Sequence, residues 1–136
     1  MKEQLILQAK EAMKHAYSPY SGYCVGAALL CKDGSIYTGC NVENAGYSAT
    51  NCAERTAFFK AVSEGKREFV AIAVCGGKDG VIEGAFPPCG VCRQVMREFC
   101  QDDFLIHLVT PEGVDSYTLK ELLPVSFQPS TIRKDG

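Results

Sequence analysis

At 136 residues the chain has room for a single hydrophobic core, and 46% apolar with 22% charged residues is the composition of an ordinary globular domain. The net charge is −2, with 14 Lys and Arg scattered among 16 Asp and Glu, so there is no basic strip for a nucleic acid and a small neutral substrate fits better. The first eight residues carry no long apolar region or cleavage signal, and no apolar run approaches membrane-spanning length.

In chain order, residues 3–17 read as an amphipathic helix, with Leu5, Ile6, Ala9, Ala12, Met13, Ala16 and Tyr17 on one stripe and Pro19 as its stop. His15 falls inside it and reads as a surface or packing residue. Segments 25–31 and 35–40 flank Lys32-Asp33-Gly34, a strong hairpin signal. A polar loop, 41–50, leads into a second helix from Cys52 to about Glu64, with Phe58, Ala61 and Val62 inward and Gly65 as its C-cap. The continuous apolar run 69–75 predicts a strand buried on both faces. A Gly-rich loop at 76–87 precedes a helix from about Gly90 to Cys100, then an apolar strand at 104–109 in which His107 reads as a core or edge residue. Pro111-Glu112-Gly113 turns the chain into a strand at 114–118, a short helix at 119–123 stopped by Pro124, and a loose polar tail from about residue 128. The order predicts one α/β domain over residues 1–136, a mixed sheet with helices on both faces.

Eight cysteines without a secretory signal indicate a reducing, cytoplasmic setting in which thiols stay free or bind metal. Cys89 and Cys92 have the two-residue gap that lets both thiolates reach one tetrahedral ion, and Cys52 supplies a third ligand from a separate segment. Three protein ligands leave a position for water, and thiolate softness selects zinc. A closed structural knuckle would need a fourth Cys or His at compact spacing, and none is near; Cys100 should point away from the metal. Cys24, Cys31, Cys40, Cys75 and Cys100 read as small apolar filler.

Glu54, two residues past Cys52, is placed to exchange protons with that water. Its alternative reading is a capping box, with Asn51 as N-cap and Glu54 reaching back. Zinc with three thiolates carries a formal charge of −1, which weakens it as a Lewis acid. Two helix N-termini aimed at the sulfurs would compensate. Arg55 can lie on the same helix face and hydrogen-bond a ligand sulfur, or remain a solvated helix charge.

The ordered set Pro19-Tyr20-Ser21, Val25-Gly26-Ala27-Ala28-Leu29, Gly39-Cys40-Asn41-Val42-Glu43-Asn44-Ala45, Cys52-Ala53-Glu54-Arg55-Thr56-Ala57, Pro88-Cys89-Gly90-Val91-Cys92-Arg93-Gln94 and Leu122-Leu123-Pro124 resembles the small homotetrameric zinc-dependent cytidine deaminases over nearly the whole chain. The resemblance implies a three-layer α/β/α sandwich around a five-stranded mixed sheet. It also implies one zinc per subunit on Cys52, Cys89 and Cys92, with Glu54 as the proton shuttle. Asn41 and Glu43 would hold the ribose hydroxyls, with Ala45 and Tyr47 completing that wall. The backbone at Ala53 would face the pyrimidine O2, and Tyr23 stands where the family usually has Phe beside the base. Phe127 resembles the aromatic that reaches a neighbouring subunit's site. The implied reaction is hydrolytic deamination of cytidine and 2′-deoxycytidine to the uridines, a step of pyrimidine salvage. The rivals are a deaminase of another aminopyrimidine nucleoside such as blasticidin S, and a zinc-stabilised interaction domain without turnover. An RNA- or tRNA-editing role is opposed by the acidic balance and the Asn-x-Glu pair.

Overall fold

The structure, a computed structural model, describes residues 1–133. Its elements are α1 (Lys2–Met13), β1 (Tyr23–Cys31), β2 (Ile36–Cys40), α2 (Ala53–Ser63), β3 (Phe69–Lys78), α3 (Gly90–Phe99), β4 (Leu105–Thr110), β5 (Gly113–Thr118), α4 (Leu119–Leu122) and α5 (Pro129–Ile132), with one turn of 3-10 helix at Tyr47–Ala49. The five strands form one sheet in the order β2-β1-β3-β4-β5. Only β3 and β4 pair in parallel; the other three pairings are antiparallel. The expected mixed sheet is therefore observed.

Side-chain alternation decides which helix covers which face. Small residues of β1 and β3 (Ala28, Ala71, Ala73, Cys75) point one way and pack with Leu5 and Ala9 of α1. Their neighbours Ala27, Leu29, Ile72 and Val74 point the other way, against Ala57, Phe58 and Ala61 of α2 and Met96 of α3. This makes three layers, and β3 is buried on both faces as its apolar run predicts. Phe58 is fully buried at the centre of an aromatic cluster with Phe69, Phe99 and Phe104, at centroid distances of 5.1, 6.2 and 6.1 Å. His107 is buried with its ring nitrogen 2.7 Å from Ser116 Oγ, the structural role expected of it. Cys31, Cys75 and Cys100 are buried, and burial pushes the Cys75 thiol up to about 11, which leaves it unreactive.

Three boundaries differ from the sequence expectation. The first helix ends at Met13 rather than near residue 17, because Tyr17 leaves the apolar stripe to bridge Val42: its N–H donates to the Asn41 carbonyl and its carbonyl accepts from Glu43. His15 therefore lies beyond the helix, where its carbonyl accepts from the Cys40 thiol. Strand β3 runs on through Gly76, Gly77 and Lys78, which pair with Val25, Cys24 and Tyr23. Pairing with β1 holds these residues extended although they carry no apolar pattern and lie beyond the last residue paired with β4. In the tail expected to be loose, Pro129–Ile132 form a turn of helix whose Thr131 hydroxyl accepts from the Gln128 N–H at 3.1 Å; residues 134–136 of that tail lie outside the described residues.

The pairing directions make β2, β3 and β4 point the same way. Strand β2 feeds α2 and β3 feeds α3, so both helices start beyond the carboxyl ends of parallel-running strands. That end of an open α/β sheet is where such folds place ligands.

Candidate active site

The N-cap of α2 is Cys52 and the N-cap of α3 is Cys89, each in extended backbone with no side-chain cap of its own. Both helices aim their positive ends at the same point, where thiolates are favoured. The sulfurs of Cys52, Cys89 and Cys92 lie within 4.8 Å of one another. Two of the separations are 3.8 Å (Cys52 to Cys89) and 3.5 Å (Cys89 to Cys92). Three sulfurs each about 2.3 Å from a tetrahedral zinc stand roughly 3.8 Å apart, so the donor set fits zinc in both chemistry and spacing. Cys100 is no part of this group.

Arg55 Nη2 donates to Cys52 Sγ at 3.2 Å, so its side chain is turned to that sulfur rather than to solvent. The neighbouring Cys92 thiol, and after it the Arg55 guanidinium, hold the Cys52 thiol below its ordinary value, while Cys92 is pushed up by Cys52 and by burial.

With Cys52 as N-cap, Glu54 is the second residue of α2, one position short of where a capping box needs it. Asn51 is engaged elsewhere, donating to Thr56 Oγ1 at 3.2 Å. Glu54 is only 3% exposed. Burial pushes its carboxyl up to about 7, with the nearby Cys52 thiolate adding to the effect. A buried carboxyl near neutrality next to a metal-binding cluster is suited to taking and returning a proton.

Glu54, Cys52, Cys89 and Ala53 line a cavity of about 270 Å³, together with Tyr23, Val25, Asn41, Glu43 and Phe86. Asn41 is buried, its Oδ1 accepting from Val25 N at 2.9 Å and its Nδ2 donating to the Tyr23 carbonyl at 2.8 Å. One N–H and one lone pair of that amide are left for a ligand. Glu43 accepts from the Tyr20 and Ser21 N–H groups at 2.9 and 3.1 Å and from the Ser21 hydroxyl. That hydroxyl, ahead of the backbone donors, holds the Glu43 carboxyl below its ordinary range, so it stays anionic.

The structure does not bring every expected residue here. Ala45 is exposed and outside the cavity. Tyr47, 81% exposed on the 3-10 turn, lines a separate neighbouring cleft that shares only Ser21, Glu43 and Thr50 with the cavity. Phe127 is 60% exposed and lines neither. Conversely, Phe86 and Pro87 were not anticipated: they belong to the 76–87 loop, to which the sequence assigned no function. That loop returns from the end of β3 to Cys89, which lays Phe86 beside Tyr23 at a centroid distance of 6.0 Å. Its position just ahead of Pro88-Cys89 was the available signal.

The model of one protein family, the cytidine and deoxycytidylate deaminase zinc-binding region, matches residues 1–108. The chain belongs to this deaminase family. A cytidine deaminase of Sporosarcina psychrophila is 52% identical over 126 residues, covering 92% of this chain and 90% of that protein. One of Halalkalibacterium halodurans is 51% identical over 127 residues, covering 93% of each. Among solved structures, a cytidine deaminase from Burkholderia pseudomallei superposes with a TM-score of 0.86 at 45% identity, covering 93% of this chain and 99% of that one. That from Mycobacterium tuberculosis superposes at 0.79 with 39% identity, covering 93% and 96%. The zinc-binding deaminase fold expected from the sequence is thus the fold of the chain, and its cysteine trio is a site that can hold the family's metal.

Proposed function

We propose that the chain catalyses the hydrolytic deamination of cytidine and 2′-deoxycytidine, consuming water and releasing ammonia to give the uridines. The observation that carries this reading is Glu54, buried beside three convergent thiols on the wall of a nucleoside-sized cavity. Cys52, Cys89 and Cys92 hold one zinc per subunit, and the ion when bound lowers the pKa of a water and so supplies a nucleophile near neutral pH. Glu54 accepts a proton from the attacking water and delivers it to N3 of the pyrimidine, which makes C4 electrophilic. It then carries a second proton to the amino group, which departs as ammonia. The free N–H of Ala53, in the first turn of α2, is a donor for the pyrimidine O2. Asn41 and Glu43 take the ribose hydroxyls, and Tyr23 with Phe86 flanks the base. Arg55 holds the Cys52 sulfur in place.

The described residues form one catalytic domain within the 1–136 chain. Phe127, exposed in the single chain, reaches a neighbouring site in a homotetramer, and Ala45 and Tyr47 complete the ribose wall beside Asn41 and Glu43. The enzyme serves pyrimidine salvage in the cytoplasm. Among the described residues no helix is long and apolar enough to cross a membrane.

The test is the absorbance change as cytidine becomes uridine, with Glu54→Gln alongside. Wild-type protein turns cytidine over, and the variant retains zinc while losing nearly all turnover. Zinc-loaded wild type that leaves cytidine intact but consumes blasticidin S would overturn the substrate assignment. Turnover of neither would favour a non-catalytic zinc domain, and an active variant would remove Glu54 from its role.

A further inference from the structure

Two consecutive side chains of α3, immediately after Cys92, reach out of the site toward the C-terminal part of the chain. Arg93 Nε donates to the Pro88 carbonyl at 2.8 Å, and its Nη1 donates to the Leu122 carbonyl at 2.8 Å. Both bonds are partly buried. Gln94 Nε2 donates to the Phe127 carbonyl at 2.9 Å. Pro88 precedes Cys89, while Leu122 is the last residue of α4. One guanidinium therefore joins the turn that delivers Cys89 to the base of the C-terminal arm, and the next residue pins the arm further along.

The arm needs such pins. Val125 is fully exposed and its φ is 49°, a left-handed conformation that a β-branched residue seldom adopts. Phe127 is also exposed in the single chain, so neither residue anchors the segment by burial against its own subunit. The two Arg93 bonds are charge-assisted and diverge from one planar fork, a geometry that the single ammonium of a lysine does not reproduce.

We propose that Arg93 and Gln94 are positioning residues that couple the Pro88–Cys89 turn to the C-terminal arm, so that metal affinity and the placement of Phe127 depend on each other. The inference rests on the reading of Cys52, Cys89 and Cys92 as the zinc ligands. It makes the arm a strut of the metal site as well as a carrier of Phe127.

The test reads the metal and the arm separately from turnover. Zinc affinity is measured by chelator competition, and sulfur geometry by the visible spectrum of the cobalt-substituted protein. The chain has no tryptophan, so Phe127→Trp supplies a single tryptophan, excited apart from the tyrosines, whose anisotropy reports arm mobility. Arg93→Ala is expected to weaken zinc binding about tenfold, the lower end for groups that orient ligands, to shift the cobalt bands and to lower the anisotropy. Arg93→Lys is expected to lose most of the same affinity; wild-type affinity in that variant would reduce the clamp to charge alone and overturn it. Gln94→Ala is expected to lower the anisotropy and weaken zinc a few-fold, and it carries the test should Arg93→Ala fail to fold. A freed arm with wild-type zinc affinity in Gln94→Ala, or a folded Arg93→Ala with wild-type affinity and cobalt spectrum, would overturn the coupling. Failure of the zinc-ligand reading looks different, since the wild-type chain itself would then give no thiolate–cobalt spectrum.

Discussion

Gly39→Ala places a methyl group in the first turn of α2, and its consequences follow from distances. A Cβ at position 39 would meet the Ala53 carbonyl oxygen and the Ala57 nitrogen at 2.5 Å each. Both are helix backbone atoms, which have no flexible side chain to swing aside. Reaching ordinary van der Waals contact near 3.4 Å requires α2 and β2 to part by about 0.9 Å. Overpacking of this kind costs about 1–3 kcal/mol of stability. The helix that must move carries Cys52 and Glu54, whereas Cys89 and Cys92 belong to α3. A displacement near 1 Å between catalytic groups can cost about 100-fold in rate, and that is the loss expected in kcat/KM for cytidine, per zinc-loaded folded molecule. Gly26→Ala is the matched control. Its Cβ would meet Ala9 O at 2.1 Å and Met13 N at 2.5 Å, against α1, which bears no site residue. It should lose at least as much stability in urea unfolding while its folded, zinc-loaded fraction keeps most of its turnover. Wild-type kcat/KM in Gly39→Ala, or an equal activity loss in Gly26→Ala, would refute the reasoning that the β2–α2 contact sets the position of the site.

Two further outcomes concern charge at the site. In metal-free protein the Glu54 carboxyl rises from its ordinary 4.5 to about 7 on folding. Between those values the native state binds more protons than the unfolded state, so stability falls as pH rises through the window and stays low above it, by about 3 kcal/mol in all. Urea unfolding of metal-free wild type and Glu54→Gln should give a stability gap that opens between pH 4.5 and pH 8; parallel pH dependences would show that Glu54 is not desolvated in this way. Arg55→Gln removes the cationic donor to Cys52 and should weaken zinc binding about 10–100-fold, read by chelator competition. In the metal-free form it should also move Cys52 thiol reactivity to higher pH, and an unchanged reactivity profile would assign the low Cys52 value to Cys92 alone.

The chemistry of this site was legible in the sequence because its signals are local. Cys-x-x-Cys fixes two sulfurs within one helical turn, and Glu54 and Arg55 follow Cys52 on the same helix start, so their proximity needs no knowledge of the fold. The strands were equally readable where burial shows as apolar runs, as in 69–75. Tertiary structure decided the rest. The early end of α1 came from a bridge between Tyr17 and Val42, and the extension of β3 came from pairing with β1, both between residues at least two dozen positions apart in the case of the bridge and more in the case of the strands. Neither leaves a periodic trace. Whether Glu54 capped its helix or faced the cavity turned on which residue became the N-cap, and Cys52 in that place leaves Glu54 one position short of the capping-box site. Phe86 entered the cavity, and Ala45 and Tyr47 fell outside it, for the same reason: a residue's neighbours across the sheet are set by where loops return, and loop paths are written in long-range packing rather than in the residues of the loop.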